Sequence, residues 1–214
     1  MLNKTLHIDF KNYWHAGSGR SSGYHLDAVC QRDANKLPYL PGRQLKGILR
    51  HAVRRAENWG WYDGISLPKG PVTLYEHLLF GSTSQDEQRN QTFSGLLQVD
   101  SATLPETEYL YLSHQLQASL VNHLFDELFT TAIDEKTGTA KQYSLRGLEV
   151  CLPLTLQSVL QLQLTALQPD LRSQQEVWLK SAQPWQVIEI ALPLIDALGA
   201  QRNRGLGEAI LSLK

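Results

Sequence analysis

Cysteine and long apolar runs are both scarce in this 214-residue chain. The only two cysteines, Cys30 and Cys151, stand in unrelated segments, which argues against a disulfide framework and favours a reducing cytoplasm. No apolar run approaches the roughly 20 residues that cross a bilayer. The first ten residues, MLNKTLHIDF, lack the apolar block of a signal peptide. With 42% hydrophobic residues and a mean hydropathy of −0.29, the sequence predicts a single cytoplasmic domain over 1–214 without a membrane partner.

Net positive charge is also missing, since the formal net charge is −1. The charges are unevenly distributed, however. Residues 1–70 hold eleven Lys and Arg against five Asp and Glu, whereas residues 71–214 hold nine against sixteen. Because nucleic-acid binding depends on a local basic surface rather than on the total, the first third of the chain is a candidate for that surface. Random segregation of charge is the alternative.

The hydropathy pattern predicts an α+β fold. Strands are indicated by alternation at 5–11, by apolar runs in 95–104 and 145–166, and by the closing segment 208–213. Helices are indicated over 43–58 and over 184–198, where Pro193 interrupts the second. A short helix is expected at 73–80, a polar loop at 84–91, and an insertion at about 105–142 that could hold a helix within Leu112–Phe129. This order predicts a ferredoxin-like (RRM-like) βαββαβ core with one inserted segment.

The stretch LPYLPGRQLKGILR, residues 37–50, joins a stiff turn to the start of a basic helix. Lys46, Arg50 and Arg54 recur every four residues and so share a helix face. Like charges at this spacing repel, and a neighbouring polyanion would turn the repulsion into attraction. The helix N-terminus adds free N–H groups that favour phosphate, and Gly42 allows a backbone to come close. A solvated basic face behind a Pro-Gly turn is the alternative.

A second candidate site is GAQRNRGLGEAIL, residues 199–211. Its glycines frame Arg202 and Arg204, and such a turn lets a backbone approach phosphates while guanidinium groups bind them. An ordinary glycine-containing connection from helix to strand is the alternative.

These stretches resemble the RAMP superfamily, the repeat-associated RNA-binding proteins of CRISPR systems. LPYLPGRQLKGILR is similar to its proline-glycine turn and Leu-Lys-Gly helix start, and GAQRNRGLGEA to its C-terminal glycine-rich loop. Two further stretches resemble the backbone subunit of type III effector complexes, which polymerises along a guide RNA. They are GSGRSSGYHLDAVCQRDANKLPYLPG at 17–42 and IDEKTGTAKQYSLRGLEVCLP at 133–153.

The resemblance implies a set of site residues. In the type III backbone subunit a loop aspartate cleaves target RNA with a divalent metal, Mg²⁺ or Mn²⁺, and Asp27 falls at the matching place, followed by Arg32 and Asp33. The insertion would be the thumb-like hairpin that wedges into the guide–target duplex. The residues implied in RNA binding are His15, Arg20, Pro41, Gly42, Arg43, Lys46, Arg50, Arg54, Gly199, Arg202, Arg204, Gly205 and Gly207.

Each candidate residue also has a plainer interpretation. Without the resemblance, Asp27 is a loop aspartate that caps a turn. Either His15 or His25 could contact RNA or simply pack in the interior. Trp59 and Trp61, with Trp14 and Tyr62, could stack on bases, while core packing is the simpler role for Trp59. The seven histidines show no compact spacing typical of a zinc site.

We therefore predict a guide-RNA-binding backbone subunit of a type III CRISPR effector that cleaves bound target RNA. The expected partners are guide CRISPR RNA, target RNA and other effector subunits, including copies of this chain. One alternative is a non-catalytic structural RAMP subunit. Others are a CRISPR-precursor processing endoribonuclease and a ferredoxin-like protein-interaction domain.

Overall fold

A computed structural model describes residues 2–23, 25–82 and 92–214. Its helices and strands alternate along the chain, so the predicted α+β class is confirmed. The strands are β1 (Asn3–Phe10), β2 (Leu97–Val99), β3 (Phe125–Thr130), β4 (Arg146–Cys151), β5 (Thr155–Leu162) and β6 (Ala209–Leu213). The α-helices are α1 (Gly42–Asn58), α2 (Tyr75–Phe80), α3 (Glu106–Ser113), α4 (Ala118–Asn122), α5 (Pro169–Leu179) and α6 (Gln183–Ala191). Three 3₁₀ turns lie at Gln115–Gln117, Leu192–Leu194 and Arg202–Arg204.

Four of the strands form one sheet in the order β2-β5-β1-β6. Each neighbouring pair is antiparallel, with Leu6 opposite Ser158 in β5 and opposite Leu213 in β6. β5 therefore lies between β1 and β2, which is the split arrangement that a βαββαβ core requires. The finer ferredoxin-like assignment stays a prediction.

Helix α1 covers this sheet because its apolar residues share one face. Leu45, Leu49 and Val53 are fully buried, and burial of each large side chain contributes roughly 1.5–3 kcal/mol. At the start of the helix, a Cβ on Gly42 would collide with the backbone of Val99 and Asp100. The glycine therefore permits close contact between α1 and the strand β2.

The segment inserted between β2 and β5 contains α3, α4 and a two-stranded antiparallel sheet of β3 and β4. A helix within Leu112–Phe129 was expected, and only its first part is helical. The prediction is wrong for the last residues, because Phe125–Thr130 pairs instead with Arg146–Cys151. Helix α5 was not predicted at all.

Two smaller expectations have different outcomes. Helix α6 ends at Ala191 and passes into a 3₁₀ turn that contains Pro193, so the predicted interruption is confirmed. The polar loop expected at 84–91 lies outside the described residues. Among the helices that the structure describes, none has the length and apolarity needed to span a membrane.

Candidate nucleic-acid interface

The cations of the basic stripe of α1 make contacts within the protein, although the Arg54 side chain stays 45% exposed. Glu76 on α2 has a side chain that is only 3% exposed, and it accepts hydrogen bonds from two arginines of the stripe. Arg50 Nε lies 2.5 Å from Glu76 Oε1, and Arg54 Nε lies 2.6 Å from Oε2. Arg50 also donates from Nη2 to the Gly81 carbonyl at 2.5 Å. These contacts join α1 to α2.

The third cation of the stripe is similarly engaged. Lys46 donates from Nζ to the carbonyl of Leu97 in β2 at 2.7 Å. Burial lowers the pKa of Lys46, and repulsion from Arg50 lowers it further. Lys46, Arg50 and Arg54 thus all have contacts within the protein, and their binding of phosphate stays a prediction. An internal carboxylate and two backbone carbonyls offset their repulsion.

The helix start is likewise used for packing. Pro41 is the residue before α1, and the Gly42 N–H donates to Ser101 Oγ at 3.2 Å. Gly42 is buried against β2 and therefore has a packing role, while its contact with RNA stays a prediction. Arg43, by contrast, is exposed at the first turn.

A different face of α1 borders an open groove. Gln44, Ile48, His51 and Arg55 line one wall of this α1 groove, and Arg202 lines it from the C-terminal bend. The groove has a volume of about 350 Å³. Two cations, Arg55 and Arg202, therefore line the same groove, while Asp196 adds one negative charge to its lining. The α1 helix and the C-terminal bend therefore lie side by side at this groove. The α1 residues that line it are not those of the basic stripe.

The C-terminal bend, residues 199–207, is held against the segment after β1. Ala200 N–H donates to the His15 carbonyl at 2.7 Å, and Gly207 N–H donates to the Tyr13 carbonyl at 2.8 Å. Gly199 and Gly207 both have positive φ, and a Cβ on either would collide with a backbone carbonyl. These two glycines therefore shape the bend.

The residues at the tip of the bend are exposed. Gly205 has a φ of 82° with open space around it, and its carbonyl accepts a hydrogen bond from Asn12 at 2.9 Å. Arg202 and Arg204 lie on the preceding turn, and both are exposed to solvent. The bend thus presents two guanidinium groups from a constrained backbone, as the sequence predicted.

His15 is buried, with 3% exposure, and its contact with RNA stays a prediction. Its Nδ1 lies 2.7 Å from the Glu149 carbonyl and 3.4 Å from Cys30 Sγ. Burial alone would lower the pKa of His15, but the hydrogen bonds to Cys30 and Glu149 raise it overall. Hydrogen bonding from Cys151, and then from His15, lowers the pKa of Cys30 to about 6 despite burial.

Next to this cluster lies a cleft of about 650 Å³, on the glycine-serine loop. Arg20, Arg32 and Lys36 line it, with Glu149 among the lining residues. Arg32 donates to Glu149 at 2.6 Å and lies 3.7 Å above the ring of Phe125, so its position is set by protein contacts. Arg20 is exposed at the rim of the cleft.

Asp27 is exposed and lies beside Gly147 of β4, near the loop that connects β3 to β4. Its Oδ2 accepts the N–H of Gly147 at 2.9 Å, and its own N–H donates to the Gly147 carbonyl at 2.8 Å. These bonds join the loop of Asp27 to strand β4 rather than closing a local turn, and the catalytic role of Asp27 stays a prediction. In the described parts of the chain, no three His, Cys, Asp or Glu side chains come together as a metal cage. Binding of Mg²⁺ or Mn²⁺ by Asp27 stays a prediction.

The sequence interpretation did not identify Gln44, His51 or Arg55. These residues are spaced by seven and four positions, which places them on one face of a helix. This polar pattern is less regular than the repeat of cations in the basic stripe. Of the aromatic candidates, Trp14 and Tyr62 are buried, whereas Trp59 and Trp61 are exposed.

Comparisons with known proteins identify the fold and the family of this chain. One chain of a cryo-EM structure described as Type III-B Cmr-beta bound to cognate target RNA has a TM-score of 0.67 and 12% identity, and the match covers 100% of this chain and 97% of that one. A chain of the apo-state Type III-B Cmr-beta structure has a TM-score of 0.64 and 12% identity, with 99% and 97% covered. At such identities the likeness shows the fold alone. None of the curated proteins matches the sequence significantly. The RAMP superfamily model matches residues 7–210, almost the whole length, and this chain therefore belongs to the RAMP superfamily.

Proposed function

We propose that this chain is a guide-RNA-binding backbone subunit of a type III CRISPR effector ribonucleoprotein that cleaves bound target RNA at Asp27. The observation that carries the RNA-binding part is the α1 groove, a space of about 350 Å³ that both Arg55 and Arg202 line. Membership of the RAMP superfamily and the likeness in fold to chains of Type III-B Cmr-beta support the choice of complex. The partners are guide RNA, target RNA, other effector subunits and further copies of this chain.

Phosphates of the guide strand would bind the rim of the groove. Arg202 and Arg204 project from a bend whose backbone is constrained by two glycines of positive φ, so little freedom remains to be lost on binding. Guanidinium groups bind phosphate in a fork of two N–H donors. Since such contacts carry no base identity, the site would accept any guide sequence.

Cleavage would use the 2′-OH of the target strand itself. That hydroxyl attacks the adjacent phosphorus, the bond to the 5′-oxygen breaks, and the products are a 2′,3′-cyclic phosphate and a 5′-hydroxyl end. Asp27 Oδ1 would accept the proton of the 2′-OH, while the Gly147 N–H holds Oδ2 and so fixes the carboxylate. A divalent ion bound to Asp27 and RNA would supply stabilisation of negative charge.

The test of the whole proposal is purification of the tagged chain from cells that carry its neighbouring genes and a CRISPR array. We expect one discrete length class of guide RNA and a set of partner subunits to copurify. Recovery of the chain free of RNA and partners would contradict the proposal.

The catalytic part has its own prediction. Asp27→Asn keeps a carbonyl oxygen for the Gly147 N–H but removes the base, so target cleavage by the assembled complex should fall at least 100-fold. RNA binding should stay within twofold, and Asp170→Asn, which changes another exposed aspartate on α5, should cleave normally. Unchanged cleavage by Asp27→Asn would assign the chain to the non-catalytic structural alternative.

A further inference from the structure

Two tryptophans lie side by side on the surface at the end of α1. Trp59 is 55% exposed and Trp61 is 42% exposed, whereas the other three tryptophans of the chain are buried. The ring centroids of the pair are 5.5 Å apart, and the ring planes are inclined at 53°. Their large apolar faces are thus left in water, which indicates a contact outside the folded chain rather than a part of its core.

The backbone that carries the pair is fixed by the helix end. Gly60, between the two tryptophans, has a φ of 71° and donates its N–H to the Glu57 carbonyl at 3.0 Å. The Trp61 N–H donates to the Ala56 carbonyl, also at 3.0 Å. This is the Schellman arrangement of a helix C-terminus. Both indoles therefore extend from an ordered turn, which reduces the entropy lost when a ligand binds.

Arg55 connects the pair to the α1 groove. Its guanidinium carbon lies 4.9 Å from the centre of the Trp59 ring, and its Nη1 donates to the Leu194 carbonyl at 3.4 Å. The same arginine lines the groove together with Arg202. From Gln44 to Trp59 the helix advances about 22 Å, so one strand with several phosphates could follow the groove and reach the indoles.

We propose that Trp59 and Trp61 form a stacking site for an unpaired nucleobase of the RNA strand whose phosphates lie in the α1 groove. This inference rests on the proposed function, because it assigns a further subsite to the same RNA. The 53° inclination leaves no parallel slot between the indoles, so one base stacks on one exposed ring face. The cationic neighbour Arg55 favours a nucleotide over an apolar protein segment, since it places positive charge beside the aromatic surface.

Stacking and phosphate binding can be separated with two RNA probes. One is a single-stranded oligoadenylate, and the other is an abasic strand of the same length, which keeps the phosphates and lacks the bases. We expect the full chain to bind oligoadenylate about tenfold more tightly than the abasic strand, since stacking stabilises each base substantially. Oligoadenylate should also quench tryptophan fluorescence.

The matched variants then identify the site. In Trp59→Ala/Trp61→Ala the preference for oligoadenylate and the quenching should disappear, while affinity for the abasic strand stays within twofold. Trp59→Phe/Trp61→Phe keeps aromatic faces and should recover most of the preference. Arg202→Ala should weaken both strands alike. Circular dichroism checks that each variant is folded.

The outcomes distinguish this inference from the proposed function. If the double alanine variant keeps the full preference for oligoadenylate, the stacking site is wrong although RNA binding stands. If the unaltered chain binds neither strand, the proposed function fails and the inference fails with it. If the double variant binds both strands normally but no longer copurifies with partner subunits, the pair is a protein contact and the inference is overturned.

Discussion

Two faces of the same helix carry positive charge in different ways. On one face of α1, Arg50 and Arg54 bind the buried Glu76, and Lys46 binds a backbone carbonyl. On another face, Arg55 borders an open groove together with Arg202 from the other end of the chain. The first, called the closed face, carries Lys46, Arg50 and Arg54 and joins the helix to α2 and β2, although Arg54 stays 45% exposed. The second, called the open face, carries His51 and Arg55 and borders the groove.

The difference shows that regular spacing of like charges does not by itself identify a binding surface. The counter-charge of the stripe lies 26 residues beyond Arg50, and no local pattern reveals it. A carboxylate that is buried between two guanidinium groups is strongly bound in place, because each charge would be costly to leave alone in the interior. The face of α1 with the weaker charge pattern, which carries His51 and Arg55, is the face that borders the groove.

The largest expected effect concerns the closed face. Glu76→Gln leaves Arg50 and Arg54 without this counter-charge, and the loss of charge-assisted hydrogen bonds should lower the free energy of unfolding by about 2 kcal/mol. Urea denaturation measures this loss. RNA affinity of the folded variant should stay within twofold.

The matched control is Glu176→Gln on α5, where the ion pair with Arg172 is about half exposed. Such surface pairs contribute only about 0–1 kcal/mol, so this variant should be nearly as stable as the parent. Equal stability of Glu76→Gln and Glu176→Gln would show that the closed face is not structural.

The next effect concerns the open groove. Arg202→Ala should weaken binding of single-stranded RNA roughly tenfold, because a charge-assisted contact to phosphate is lost. The unfolding free energy should not change, since Arg202 is exposed. The slope of log affinity against log salt should fall by about 0.7 for each lost contact.

Lys180→Ala is the control for this variant, since it removes an exposed cation at the end of α5. Its RNA affinity and salt slope should match those of the parent chain. A loss as large as that of Arg202→Ala would mean that overall charge, rather than the groove, determines binding.

The smallest effect is a dependence of stability on pH. Burial acts to raise the pKa of Glu76, but hydrogen bonds from Arg54 and Arg50 outweigh it and lower the pKa. A carboxyl group with a lowered folded pKa stabilises the protein above its unfolded pKa, about 4.3, and loses this contribution as pH falls through the folded value. Unfolding in urea between pH 6 and pH 3 should therefore show a steeper loss for the parent than for Glu76→Gln. If the free energy of unfolding fell equally with pH in the parent and in Glu76→Gln, the lowered pKa of Glu76 would be contradicted.

Much of the sheet and its main helix could be predicted from periodicity. β1 alternates and α1 repeats its apolar residues at helical spacing, because each buries one face in the same core. Helix α5 could not be recognised in this way. Its buried positions include Gln174 and Gln175, which bind loop backbone groups, so polar side chains interrupt the apolar pattern.

The candidate site was predicted in part. The bend with Arg202 and Arg204 is exposed as expected, because its glycines and arginines are close in sequence and determine a local structure. The roles of Arg50 and His15 depend on Glu76 and Glu149, which are distant in the sequence. Long-range pairing of this kind was not visible in the motifs.

The most direct measurement is photocrosslinking of the assembled complex with guide RNA that carries 4-thiouridine, followed by mass spectrometry of the linked residues. The division of α1 into a closed and an open face predicts crosslinks at His51, Arg55 and Arg202, which line the groove. Crosslinks confined to Lys46, Arg50 and Arg54, with none along the groove, would contradict it.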